Sequence, residues 1–93
     1  MGGSATYGLP HGVVTQAVGA ELILLNSESE TYYSLDSVGA AMFTALSNGN
    51  RLKEVVEIVS SSFDDVDPVT VEADVVELIR DLEQRQLLEQ VRG

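Results

Sequence analysis

The hydrophobic period of this sequence changes once, near residue 36, and does not change back. Before that point, short apolar and β-branched runs of strand length are separated by turn residues. After it, apolar residues recur at three- and four-residue steps. A chain whose strand patterns all precede its helix patterns cannot alternate β and α units around a parallel sheet. It predicts an α+β domain with a small antiparallel sheet followed by helices.

The strand half reads as three pieces. Val13-Val14-Thr15-Gln16-Ala17-Val18 is rich in β-branched residues, and Gly19-Ala20 can turn. Glu21-Leu22-Ile23-Leu24-Leu25-Asn26 is a short apolar run, closed by the polar Ser27-Glu28-Ser29. Glu30-Thr31-Tyr32-Tyr33-Ser34-Leu35 is a third strand with aromatic content. The short links predict an antiparallel meander whose third strand keeps an open edge unless something covers it.

Three helices follow. Asp36 or Ser37 can cap the first by accepting an orphan backbone N–H, and Val38, Ala41, Met42, Ala45 and Leu46 share one face. Asn48-Gly49 ends it. Asn50 can cap the second, whose stripe is Leu52, Val55, Val56, Val59 and Phe63. This pair has the form of a helix-turn-helix, so the whole is winged helix-turn-helix-like. Asp67-Pro68 is the start signal of the third helix, because proline at a first helical position sacrifices no hydrogen bond. Val71, Val75, Leu78 and Leu82 form its core stripe, with Val76 and Ile79 widening the apolar arc. Leu87-Leu88 closes the core and Val91-Arg92-Gly93 trails off. Residues 1–12, rich in Gly and Pro, predict a flexible arm, and residues 13–91 a single domain.

Composition narrows the chemistry. The chain has 93 residues, no cysteine and one histidine, His11, within the expected arm. Disulfides and thiolate metal sites are excluded, and a zinc site or a Ser-His-Asp site would both depend on that one imidazole. No phosphate-cradling glycine loop or nucleophile elbow occurs. The carboxylates fall mostly in turns and on polar helix faces, as solvated acids do. The reading is a non-enzyme without metal or cofactor. No apolar run approaches the ~20 residues of a membrane span, and no basic segment precedes an apolar one as in a signal peptide. A cytoplasmic protein is expected.

The formal net charge is −10, and residues 62–93 alone hold nine acids against three bases. Phosphate neutralisation needs clustered Lys and Arg, so nucleic acid and anionic membrane are poor partners. A neutral or basic peptide is a better one. Tyr32 and Tyr33 point to opposite faces of their strand, so one ring fills the core while the other covers the sheet, or one walls a groove. The broad apolar arc at Val76 and Ile79 is either a wider core contact or the lining of such a groove.

Several of these pieces, taken in order, carry a resemblance. Leu24-Leu25-Asn26, a polar turn, Tyr32-Tyr33-Ser34-Leu35-Asp36, and Val38-Gly39-Ala40-Ala41-Met42-Phe43 resemble the core pattern of the PqqD-like family. Leu52-Lys53-Glu54-Val55-Val56, Asp74 through Leu82 and Gln86-Leu87-Leu88 are similar to its later helices and close. Asp36 stands where Asn is commoner, and both cap helices. Members of that family are the recognition elements for precursor peptides in the biosynthesis of ribosomally synthesised and post-translationally modified peptides (RiPPs). The resemblance implies a leader segment added antiparallel to the third strand, about residues 30–35, and packed on the third helix. Its site residues would be Glu30, Thr31, Tyr32, Tyr33, Ser34 and Leu35 from the strand. The helix would contribute Glu72, Val75, Val76, Ile79, Arg80 and Glu83, with Glu72 and Glu83 meeting leader lysines. The short chain resembles the free-standing subunit of lasso-peptide systems, which implies two partners beyond the leader: a transglutaminase-like leader peptidase and an asparagine-synthetase-like cyclase. Lasso leaders of the family present a Tyr-x-x-Pro motif, and this chain contains Tyr7-Gly8-Leu9-Pro10.

Two other classes compete. A winged-helix nucleic-acid binder would use the second helix, where Glu54 and Glu57 oppose Arg51 and Lys53. An acyl or peptidyl carrier would be modified on Ser37 of Asp36-Ser37-Val38, but a carrier has a long helix ahead of its serine, where this sequence is strand-like.

Overall fold

A computed structural model describes residues 5–92. The expected meander is formed by β2 (Val13–Val18), β3 (Glu21–Asn26) and β4 (Thr31–Leu35), after a short strand, β1 (Thr6–Gly8). The helices are α1 (Ser37–Ser47), α2 (Leu52–Ser62) and α3 (Pro68–Gln84), and β5 (Glu89–Arg92) ends the described chain. The meander is an antiparallel sheet in the order β2-β3-β4, while β1 and β5 form a separate antiparallel pair. The fold is therefore α+β, with three helices after a three-stranded sheet.

Local chemistry sets most boundaries. Gly19, at φ 63°, takes the left-handed conformation that lets β2 turn into β3, with Val18 paired to Glu21. Asp36 caps α1, its Oδ1 accepting from Gly39 N–H at 2.8 Å. Asp67 Oδ2 accepts from Thr70 N–H at 3.2 Å, with Pro68 as the first residue of α3. Asn50 behaves differently from expectation. Its Nδ2 donates to Ala45 O at 2.9 Å, so it closes the end of α1. The start of α2 is held instead by Glu54, whose Oε1 accepts from Arg51 N–H at 2.7 Å.

The core lies where the sheet, α1 and the inner stripes of α2 and α3 meet. Leu24 and Leu35 come from the sheet, Met42, Phe43 and Leu46 from α1, and Val55 and Val59 from α2. Val71, Val75, Leu78 and Leu82 come from α3, and Leu87 and Leu88 follow it into the same cluster. Phe43 stands off the predicted stripe of α1 and is buried all the same. This helix has apolar neighbours on more than one side, since it packs against the sheet and α2 together.

One buried polar side chain ties the sheet to the end of α3. Asn26 is 3 % exposed; its Nδ2 donates to Gln86 O at 2.7 Å. Its Oδ1 accepts from Glu28 and Ser29 N–H at 2.9 and 3.2 Å, shaping the β3–β4 turn. Gln86 itself sits at φ 60°, a left-handed residue ending α3.

The ends of the chain depart from the sequence reading. Residues 1–4 of the expected arm, and Gly93, lie outside the described residues. Thr6–Gly8 is not a loose arm, and residues 89–92 do not trail off, because the two segments pair with each other. Ala5 is buried and Tyr7 packs on the core, so the pairing also brings apolar surface out of water. Neither segment shows strand periodicity: one has three residues ending in Gly, the other is mostly charged and polar.

Candidate functional site

The sheet order leaves β4 with a neighbour on one side only. Antiparallel pairs alternate between residues that exchange hydrogen bonds and residues that do not, so one known bond sets the phase of the sheet. Ser27 N–H donates to Gly12 O at 2.9 Å, one step beyond the Val13–Asn26 pair. Counting from there, Leu25 and Ile23 turn their backbone groups to β2, and Leu24 and Leu22 turn theirs to β4. Tyr33 and Leu35 are the residues paired with Leu24 and Leu22, so they bond inward. The backbone N–H and C=O groups of Tyr32 and Ser34 then point outward from the free edge. The same phase turns Val13 N–H away from β3, and it is found on Pro10 O at 3.2 Å.

Side chains follow the pleat at right angles to these bonds. Tyr32 is 71 % exposed on the outer face, beside Leu25, its partner on β3. Tyr33 is half-buried and Leu35 buried on the inner face. The inward tyrosine is therefore Tyr33, and Arg85 from the end of α3 lies over its ring, 5.1 Å from the centroid.

Between the β4 edge and α3 runs an open groove of about 490 Å³, a volume typical of ligand clefts. Leu35, Val38, Met42, Val66 and Leu78 give it an apolar floor, and Tyr33 walls one side. Asp74, Glu77 and Asp81 line the α3 side, and Asp36 lies at the start of α1. Gly39 lets α1 lie close to the strand, since a Cβ there would stand 3.2 Å from Leu35 Cδ2.

Of the predicted strand residues, Tyr33, Ser34 and Leu35 line this groove. Tyr32 and Ser34 are the ones whose backbone faces outward, Thr31 is half-buried at the start of β4, and Glu30 sits in the turn at φ 57°. The six predicted helix residues lie elsewhere on α3. Val75 and Ile79 belong to the core, while Glu72, Val76, Arg80 and Glu83 are exposed, and none of the six lines the groove. At roughly 100° per residue, Glu72, Val76 and Glu83 lie on the far flank of the core stripe from Asp74, Leu78 and Asp81. Glu83 instead faces a separate recess with His11, Asn26 and Glu28. The apolar arc widens on one flank of α3 and β4 faces the other. The available signal was the row Asp74, Glu77 and Asp81 at three- and four-residue spacing. Which flank meets the strand is set by the packing of α3, which the sequence pattern does not carry.

Tyr7 belongs to β1, paired with β5, and does not line the groove. Its phenol is pushed above its usual 10.0 by burial, with a further contribution from the charge of Glu83. Ser37 is exposed at the first position of α1 and follows a strand directly, without the preceding helix of a carrier protein. At α2, Arg51 just before the helix and Lys53 on it are exposed beside Glu54 and Glu57, which leaves that helix without a basic face. Among the described residues no helix is long and apolar enough to cross a membrane.

Comparison with known proteins meets this geometry from another direction. The family model for coenzyme PQQ synthesis protein D (PqqD) matches residues 21–88. Among solved structures, TbiB1 in complex with the TbiA(beta) leader peptide is 31% identical, covering 92% of this chain and 99% of that one, with a TM-score of 0.80. The PqqD truncation of Methylobacterium extorquens PqqCD, a stand-alone RiPP recognition element, is 25% identical over 96% of this chain and 93% of that one, TM-score 0.74. A lasso peptide synthetase B1 complexed with its leader peptide shares the fold at 20% identity, covering 91% of this chain and 99% of its own, TM-score 0.81. No curated protein sequence matches the chain significantly.

Proposed function

This chain belongs to the PqqD family, and from that premise we propose that it captures the leader segment of a ribosomally made precursor peptide between β4 and α3. The observation that carries the reading is the meeting of an unpaired strand edge with an apolar-floored groove beside it. An extended peptide laid antiparallel to β4 bonds to the outward N–H and C=O groups of Tyr32 and Ser34. These main-chain bonds tolerate many sequences. Every second peptide side chain then points into the groove, where Tyr33, Leu35 and Leu78 discriminate among them.

The site comprises residues 31–35 of the strand with Asp74, Glu77, Leu78 and Asp81 of the helix. The chain performs no chemistry of its own in this reading. It delivers the precursor to separate enzymes, a transglutaminase-like leader peptidase and an asparagine-synthetase-like cyclase in a lasso-type pathway. It works in the cytoplasm, where the ribosome releases the precursor.

Anisotropy titration of a fluorescein-labelled precursor leader peptide tests the proposal. Tyr33→Ala removes the ring that walls the groove and is expected to weaken binding at least tenfold, about 1.4 kcal/mol. Unchanged affinity in a variant with native circular dichroism contradicts the site.

A further inference from the structure

The groove has one charged wall, and that wall has no counter-charge. Asp74, Glu77 and Asp81 follow one another along a flank of α3, and among the described residues the liners of the groove include no Lys, Arg or His. Among the described residues the single contact between a basic and an acidic side chain within salt-bridge distance is His11–Glu28 at 3.5 Å, away from this groove. The nearest cation along the same flank, Arg85, lies over the Tyr33 ring.

Acids on an exposed helix are ordinarily hydrated and select nothing. These differ in their setting, since they border both an apolar floor and a strand edge with unpaired backbone groups. A peptide added to that edge brings its inward side chains beside the carboxylates and displaces water from them. A basic side chain there gains, and an acidic one meets like charge in a medium less polar than water. From Asp74 to Asp81 the helix rises about 10 Å at 1.5 Å per residue. Groove-facing residues of an extended strand repeat every ~6.8 Å. The wall is therefore long enough for about two successive groove-facing positions.

We propose that the groove selects a leader carrying two basic residues spaced two apart, set against Asp74, Glu77 and Asp81, with an apolar residue on the neighbouring floor. This selection rests on the leader-binding reading and gives it a substrate class. The net charge of −10 acts in the same direction at longer range, speeding the approach of a basic segment at low salt.

Selection of displayed random peptides on the intact chain tests it, with Ser34→Pro, which removes an edge N–H, as the counter-selecting variant. Retained peptides are expected to carry Lys or Arg at paired positions two apart. Their affinity is expected to fall about five- to tenfold in a folded D74N/E77Q/D81N variant and with rising salt. Retained peptides with no basic bias, still lost on Ser34→Pro, overturn the charge selection and leave leader binding standing. No peptide preferring the native chain over Ser34→Pro overturns both.

Discussion

Replacing Ser34 by proline is expected to remove most leader affinity while leaving the fold intact. The ladder phase set by the Ser27–Gly12 bond turns Ser34 N–H outward from β4, where no described strand receives it. Proline there costs no bond to β3, and prolines are accepted in edge strands when the missing N–H faces solvent. The residue before it, Tyr33, is already extended, as a pre-proline residue prefers. Ser34 is exposed, so the ring meets no core neighbour. The expected loss of stability is within about 1 kcal/mol. Binding fares differently. A leader strand on β4 loses one amide–carbonyl bond, worth about 0.5–1.5 kcal/mol net. Its carbonyl is also left facing the pyrrolidine ring, a desolvated acceptor costing a further ~1–3 kcal/mol. A total of about 1.5–4.5 kcal/mol corresponds to at least a tenfold rise in Kd. Urea denaturation checks the fold and isothermal titration calorimetry with the leader reads the affinity. A folded Ser34→Pro protein whose Kd stays within about threefold of native refutes strand addition at this edge.

Asn26→Ala is expected to cost about 2 kcal/mol, because Gln86 O loses its donor while the Glu28 and Ser29 amides can turn to water. A urea midpoint shift worth under about 0.5 kcal/mol would show that the tie is dispensable. Leu82→Ala, at a fully buried site, should destabilise by about 2–5 kcal/mol in the same assay. Tyr7 binds its proton more tightly in the folded chain than at its ordinary 10.0, through burial and then Glu83. Its contribution is present in full below pH 10 and is lost as pH rises through the raised folded value. Tyr7→Phe should therefore flatten the alkaline decline of stability relative to native, and parallel curves above pH 10 would refute the assignment.

What the sequence conveyed follows from which forces act locally. Asp36 and Asp67-Pro68 announced their helices because a cap is a contact between near neighbours in the chain. The stripes Val55/Val59 and Val71/Val75/Leu78/Leu82 announced the core because burial imposes its period on the pattern. The strands of the meander were legible from their β-branched and apolar runs. The β1–β5 pair was not, since Thr6–Gly8 and Glu89–Arg92 have no periodicity and are held by each other across the whole chain. The choice between Tyr32 and Tyr33 needed the register with Leu25 and Leu24. Asn50 is an ordinary capping residue in a loop between two helices, and nothing local decides which helix it serves. The strand side of the groove was accessible from residues 30–35. On the helix side the groove is lined by Asp74, Glu77, Leu78 and Asp81, whereas the apolar arc pointed to Val76 and Ile79, because acids at that spacing look like an ordinary solvated face.

The central claim is that the leader adds to the free edge of β4. Amide hydrogen exchange at single-residue resolution, with and without saturating leader, reads that edge directly. Slower exchange is expected at Tyr32 and Ser34, whose N–H groups point outward, and no change at Thr15 and Ala17 on the opposite free edge of β2. Unchanged exchange at Tyr32 and Ser34 in the bound protein, or protection on β2 instead, would contradict it.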